Sequence, residues 1–240
     1  MERATKSLIS NLKKQKRDKS LLFLDNVKII KDNLDNKNLK IEYILTSLDE
    51  LPFKTTCRVY RVDERTIEIL SDTKTPQKVL CIAYYNQDVV VKPKNHFLVL
   101  DGLQDPGNVG TLIRTAKATG MDSVFLVDSV SVTNSKLIRS SVGAVFGIKV
   151  YSMTREKFVE FSKQNALNLI KCDMNGENIF TFKPNGNVGI VIGNEGQGLS
   201  EEISPLCYTS VKIPMKEGIE SLNAGVSGSI IMYEIAKDNF

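Results

Sequence analysis

The chain has 240 residues, 42% of them hydrophobic, with 32 Lys and Arg against 28 Asp and Glu and a formal net charge of +4. That length carries one large domain or two small ones around a real core. No run approaches the eighteen or so apolar residues of a membrane span, and the N-terminus lacks the apolar centre of a secretory signal, so a soluble, cytoplasmic protein is expected. The four cysteines (Cys57, Cys81, Cys172, Cys207) are too scattered for a zinc site and read as free thiols, with no metal expected. His96 is the single histidine and no GxSxG accompanies it, which argues against a Ser–His hydrolase.

Charge is uneven along the chain. Residues 1–95 hold 19 Lys and Arg against 13 Asp and Glu, and the remainder 13 against 15. A basic first part suits a polyanionic partner, although solvated lysines alone give the same pattern.

In chain order, residues 3–17 read as a helix. "SLLFLD" (20–25) reads as a strand, and 26–34 as a helix opened by Asn26. Strand 40–46, helix 62–70 and strand 78–85 follow. This alternation describes a small α/β sandwich domain over residues 1–90, and the polar, proline-bearing stretch 86–96 reads as a junction. From Phe97 to the C-terminus the rhythm is regular. Strands fall at 97–101, 123–128, 147–151, 167–173, 188–193 and 210–215. Helices fall from Val109 to about Thr119, near 135–141, at 155–166 and from about Ser221. Short β-branched runs alternating with helices predict a mostly parallel sheet covered on both faces.

Ligands of such sheets sit beyond the carboxyl ends of the strands. Three loops leave strand ends with polar residues that a core does not require: "DGLQDPGNVGTLIRTA" (101–116), "GNEGQGLS" (193–200) and "IPMKEGIESLN" (213–223). The second has its glycines as GxxGxG, not the GxGxxG of a dinucleotide fold, and no GxxxxGK[ST] exists in the chain. Glu195 within it would repel a pyrophosphate, so a cationic or uncharged ligand suits it better. Taken singly, each loop has a plain structural reading. Glu195 would cap a following helix, Asn108 and Ser221 would be N-caps, and Arg114, off the apolar stripe, would be a solvated side chain.

Together, "DPGNVGTLIRTA", "IGNEGQGLS" and "IPMKEGIESLN" closely resemble the three ordered motifs of the SpoU (TrmH-type) RNA 2′-O-ribose methyltransferases of the SPOUT superfamily. The resemblance covers residues 97–240. Residues 1–90 resemble the ribosomal-protein-like RNA-binding domain of such enzymes, through their element order and "SDTKTPQKVLCIA" (71–83). Where relatives carry Glu-Gly after the first strand this chain reads "FLDNVKII", a departure that bears on RNA selectivity.

The resemblance implies a SPOUT methyltransferase domain with a C-terminal deep trefoil knot, a topology almost absent elsewhere. It implies S-adenosylmethionine as cofactor, held by Ile192, Gly193, Asn194, Glu195, Gly196, Ile213, Met215, Leu222 and Asn223. It implies a catalytic set of Arg114, Asn108, Glu195, Ser221 and Asn223, with RNA, ribosomal RNA foremost, as substrate. It also implies a homodimer whose partner subunit helps complete the site. The small residues Ala224, Gly225, Ser227, Gly228 and Ser229 would serve that dimer or intramolecular packing equally well. Transfer RNA as substrate and a non-catalytic RNA-binding protein on the same fold are the alternatives.

Overall fold

The computed structural model describes residues 1–17, 21–87, 89–218 and 221–239. Ser20 of the first strand run, Asp88 of the junction, and Ile219 and Glu220 of the third loop therefore lie outside the described residues. The chain divides into two compact units, Met1–Gln87 and Asp88–Phe240.

The first unit runs β1 (Glu2–Arg3), α1 (Lys6–Arg17), β2 (Leu22–Leu24), α2 (Val27–Asp32), β3 (Leu39–Thr46), β4 (Val59–Arg61), α3 (Glu64–Leu70) and β5 (Val79–Tyr85). Its five-stranded sheet has the order β1-β4-β3-β5-β2, with β5 antiparallel to both its neighbours and the other pairings parallel. Helix α2 starts where the sequence places it, because Asn26 accepts the Ile29 N–H at 3.0 Å. Strands β1 and β4 carry no periodic signal at two and three residues and were not expected. One face of the sheet buries Leu45, Leu80 and Ile82 beneath Leu12 of α1 and Ile67 and Leu70 of α3. Beside this core Tyr43 meets Tyr60 edge-on at 5.5 Å, and the Arg58 guanidinium lies 5.0 Å from the Tyr60 ring centre. Burial pushes the Tyr43 phenol up to about 12.

The second unit runs β6 (Phe97–Asp101), α4 (Pro106–Ala118), β7 (Ser123–Val127), α5 (Ser135–Ser140), β8 (Lys149–Met153), α6 (Arg155–Asn165), β9 (Leu169–Asn178), β10 (Gly189–Gly193), β11 (Cys207–Lys212) and α7 (Ala224–Ala236). The six strands are all parallel, in the order β11-β9-β10-β6-β7-β8. Both faces are apolar, as such a sheet requires. On one side Phe125 is fully buried among Phe97, Tyr151, Phe158 and Phe161 at ring separations of 5.2–5.7 Å. Its burial contributes about 2–3 kcal/mol. On the other side Ile192 meets α7, and α7 packs on α4.

Two helix starts differ from expectation, and each difference matters to the site. Helix α4 begins at Pro106, not Val109, because Asp105 is its N-cap and accepts the Asn108 N–H at 2.8 Å. Pro106 then occupies the first helical position, where no N–H is needed. Helix α7 is capped by Asn223, not Ser221: Asn223 Oδ1 accepts Gly225 N–H at 2.9 Å and Val226 N–H at 3.3 Å. Asn108 is thus released from capping and its side chain is available for other bonds.

Candidate active site

The carboxyl ends of β6, β10 and β11 deliver the three loops to one end of the sheet. After β10 the chain turns tightly. Asn194 and Gly198 exchange backbone hydrogen bonds at 2.9 Å, and Asn194 Oδ1 accepts the N–H groups of Gly196 and Gln197 at 2.9 and 3.1 Å. The turn is thus organised by Asn194, and no α-helix follows for Glu195 to cap before the β11 strand. Glu195 is exposed at its tip.

The side chains of the three loops join in a hydrogen-bonded chain. Asn223 Nδ2 donates to Asn108 Oδ1 at 3.0 Å, and Asn108 Nδ2 donates to Glu195 Oε1 at 2.8 Å. Helix N–H groups can only donate, so Asn223 must turn its oxygen to α7 and its nitrogen to Asn108. That in turn fixes Asn108 with its nitrogen toward Glu195. Glu195 is the acceptor at the end of the series, and its Oε2 has no partner among the described residues.

Beside this chain lies a cavity of about 410 Å³. Of the residues expected to hold the cofactor, Ile192, Gly193, Asn194, Glu195, Ile213, Met215, Leu222 and Asn223 line it, and Gly196 does not. Of the expected catalytic set, Glu195, Ser221 and Asn223 line it. Asn108 reaches it through its bonds to Glu195 and Asn223. Arg114 is exposed on α4 outside the lining and makes no hydrogen bond or ion pair among the described residues.

Strand β9 adds Cys172, Asp173 and Met174, and β11 adds Lys212. Cys172, Asp173 and Lys212 fall within expected strands but in no recognised motif, and Met174 lies in the stretch by which β9 runs on to Asn178, five residues past its last expected position. Burial, and then the Asp173 carboxylate, hold the Cys172 thiol above its usual value, so the wall there is a neutral thiol. Two carboxylates against one lysine, with Ile192, Leu199, Ile213 and Leu222 as apolar wall, fit a ligand with a flat apolar base and a cationic portion better than a pyrophosphate.

Asp101, at the end of β6, is fully buried and was not anticipated from the sequence. Its Oδ1 accepts Arg155 Nε at 2.8 Å and its Oδ2 accepts the Ser200 N–H at 2.7 Å. The Asp101 hydrogen bond holds the Arg155 guanidinium above its ordinary value.

The sequence profile of the SpoU rRNA Methylase family matches residues 95–233. The chain belongs to that family. Over 227 residues it is 25% identical to the 23S rRNA (guanosine(2553)-2′-O)-methyltransferase RlmP of Bacillus subtilis, covering 93% of this chain and 91% of that one. Over 141 residues it is 38% identical to a Staphylococcus aureus protein assigned to the TrmH family of tRNA/rRNA methyltransferases, covering 58% of this chain and 57% of that one. This chain thus matches little more than half the length of the S. aureus relative. Its fold is that of an AdoMet-bound rRNA methyltransferase from Sinorhizobium meliloti (TM-score 0.84, 22% identity, 100% of this chain and 97% of that one). It is also that of the SpoU methyltransferase AviRb from Streptomyces viridochromogenes in complex with AdoMet (TM-score 0.81, 20% identity, 98% of each chain). The α/β fold with a parallel sheet, expected from the alternation of strands and helices, and the SpoU family, expected from the three motifs, are both found.

Proposed function

We propose that this SpoU-family protein is an S-adenosylmethionine-dependent methyltransferase acting on a ribose 2′-hydroxyl of RNA, with ribosomal RNA as substrate. The observation that carries the proposal is the Asn223–Asn108–Glu195 chain, which joins one residue from each motif loop at the cavity edge. The bound cofactor supplies an electrophilic methyl group on a cationic sulfonium.

The chain's own residues have the remaining tasks. Ile192, Ile213, Met215 and Leu222 give apolar walls to the base, and Asn194 and Gly193 bring backbone groups close. An alcohol is a poor nucleophile at neutral pH and must be deprotonated or strongly polarised. Asn108 holds Glu195 by Oε1 and leaves Oε2 open to a hydroxyl proton. Arg114 offers donors and no acceptor, so it is not the base. Its free guanidinium suits the RNA phosphate and the developing alkoxide.

Arg114 lies outside this cavity's lining, and Val226 and Tyr233 of α7 are 48% and 51% exposed. We therefore assign the protein a homodimer in which Arg114 serves the site of a second copy. Of the small α7 residues, Gly225 and Gly228 face Asn108 and Leu112 of α4, which leaves the exposed residues for the partner. Sedimentation as a monomer at micromolar concentration would contradict this. Residues 1–90 would bind the RNA: the Arg58–Tyr60 and Lys40–Tyr84 cation–aromatic pairs are chemistry that stacks on bases and attracts phosphate. Four unpaired cysteines suit a reducing cytoplasm.

The test is incubation with methyl-labelled S-adenosylmethionine and purified ribosomal or transfer RNA, followed by nuclease digestion and mass spectrometry. A 2′-O-methyl nucleoside in ribosomal RNA supports the proposal. Label in transfer RNA alone selects the tRNA reading, and no label in either RNA defeats the enzyme assignment.

A further inference from the structure

The turn that carries Glu195 is fastened at both ends to a single dipeptide, Asp101–Gly102. At its start Asn194 Nδ2 donates to the Gly102 carbonyl at 2.9 Å. At its end the Ser200 N–H donates to Asp101 Oδ2 at 2.7 Å. Between these points the turn is closed on itself by the Asn194–Gly198 bonds. Whatever orients Asp101 therefore orients the wall of the cavity.

Arg155 does so. Its Nε donates to Asp101 Oδ1 at 2.8 Å, and Arg155 is itself held by Asp128 at the end of β7, through its backbone N–H at 3.3 Å and its guanidinium at 3.8 Å. Gly102 has φ +72°, a conformation that favours glycine, and the Arg155 guanidinium packs close, with Nη2 2.8 Å from where a Cβ would stand. Asp101 is fully buried while the Arg155 side chain keeps 29% exposure, and an ion pair that buries a carboxylate is an inefficient way to stabilise a fold, since apolar side chains of similar volume do as well or better. What it offers is direction: two carboxylate oxygens committed to two donors from different elements.

We propose that Asp101 and Arg155 are a positioning pair that sets the Glu195 turn against the cavity and so determines cofactor affinity. Neither residue lines the cavity, so they act through the turn and not by touching the ligand. The proposal rests on the cofactor reading above.

The experiment is calorimetric titration with S-adenosylhomocysteine, alongside thermal melting. Asp101→Asn is isosteric but offers one acceptor oxygen to two donors, and is expected to bind about tenfold more weakly. The double variant Asp101→Leu with Arg155→Met removes both charges. It is expected to melt near the wild type yet to bind about tenfold more weakly, because Ser200 N–H has lost its acceptor. Affinity that returns with the melting temperature would make the pair merely structural and overturn the proposal, as would Asp101→Asn binding within about twofold of wild type. If the double variant does not fold, Arg155→Lys gives the reading, since it keeps the charge without the planar Nε donor. Weakened binding then supports the proposal and unchanged binding overturns it. A wild-type protein that binds no S-adenosylhomocysteine defeats instead the cofactor reading beneath it.

Discussion

Asn223 and Asn108 are 115 positions apart in the chain and share a 3.0 Å hydrogen bond between their side-chain amides. Each stands in the first turn or at the cap of its helix, so the N-terminal ends of α7 and α4 meet at one point. Asn223→Asp separates its two roles. The carboxylate still caps α7, and acidic groups are favoured there, so the melting temperature should stay within a few degrees of wild type. It cannot donate to Asn108, whose amide must then flip and turn its oxygen toward Glu195. Methyl transfer should fall by about 10²-fold, read from single-turnover rates.

Arg114→Ala should abolish methyl transfer, by about 10²–10³-fold or more, while S-adenosylhomocysteine affinity measured by calorimetry stays close to wild type. Arg114→Lys should recover only a small part, because one ammonium does not reproduce a planar fork of donors. Wild-type turnover in Arg114→Ala would remove the residue from the proposed mechanism.

Gly110 lies where α4 crosses α5, and a Cβ there would stand 2.8 Å from the Leu137 carbonyl oxygen and from the Ser141 nitrogen. These are backbone atoms, so the helices must separate. Gly110→Ala should cost about 1–3 kcal/mol in chemical denaturation. Activity should fall as well, since Asn108 sits two residues earlier on the displaced helix.

His96 Nδ1 accepts the Val188 N–H at 3.1 Å, and burial holds its pKa below the ordinary 6.5. The unfolded chain therefore binds the proton more readily than the folded one. The stability that depends on neutral His96 is complete above about pH 6.5 and is lost as the pH falls toward and through the lower folded value. Melting between pH 5 and 8 should show this loss. His96→Asn, whose Oδ1 can take the same N–H, should flatten the curve in that window.

Much of the second unit was legible because its strands are buried on both faces. Runs such as "FLVLD" and "SVFLV" have no competing period, and each proved to be a strand. The motif loops were legible as loops but not in their internal chemistry. "QDPGN" contains an Asp-Pro helix start that assigns capping to Asp105, and reading Asn108 as the cap hid its bond to Glu195. The Asp101–Arg155 pair was out of reach for a different reason. Its partners are 54 residues apart, and an aspartate at a strand end gives no sign of turning inward. The three-residue β4 was invisible because pattern needs length.

Among the described residues, every side chain that lines the cavity belongs to Asp88–Phe240 and none to Met1–Gln87. With the first unit as the proposed RNA-binding part, target choice would rest on residues that the cavity does not use. Substitutions in the first 87 residues would then change which RNA is bound while the residues of the cavity stay as they are. It also means that drift in the "FLDNVKII" segment need not compromise the catalytic loops.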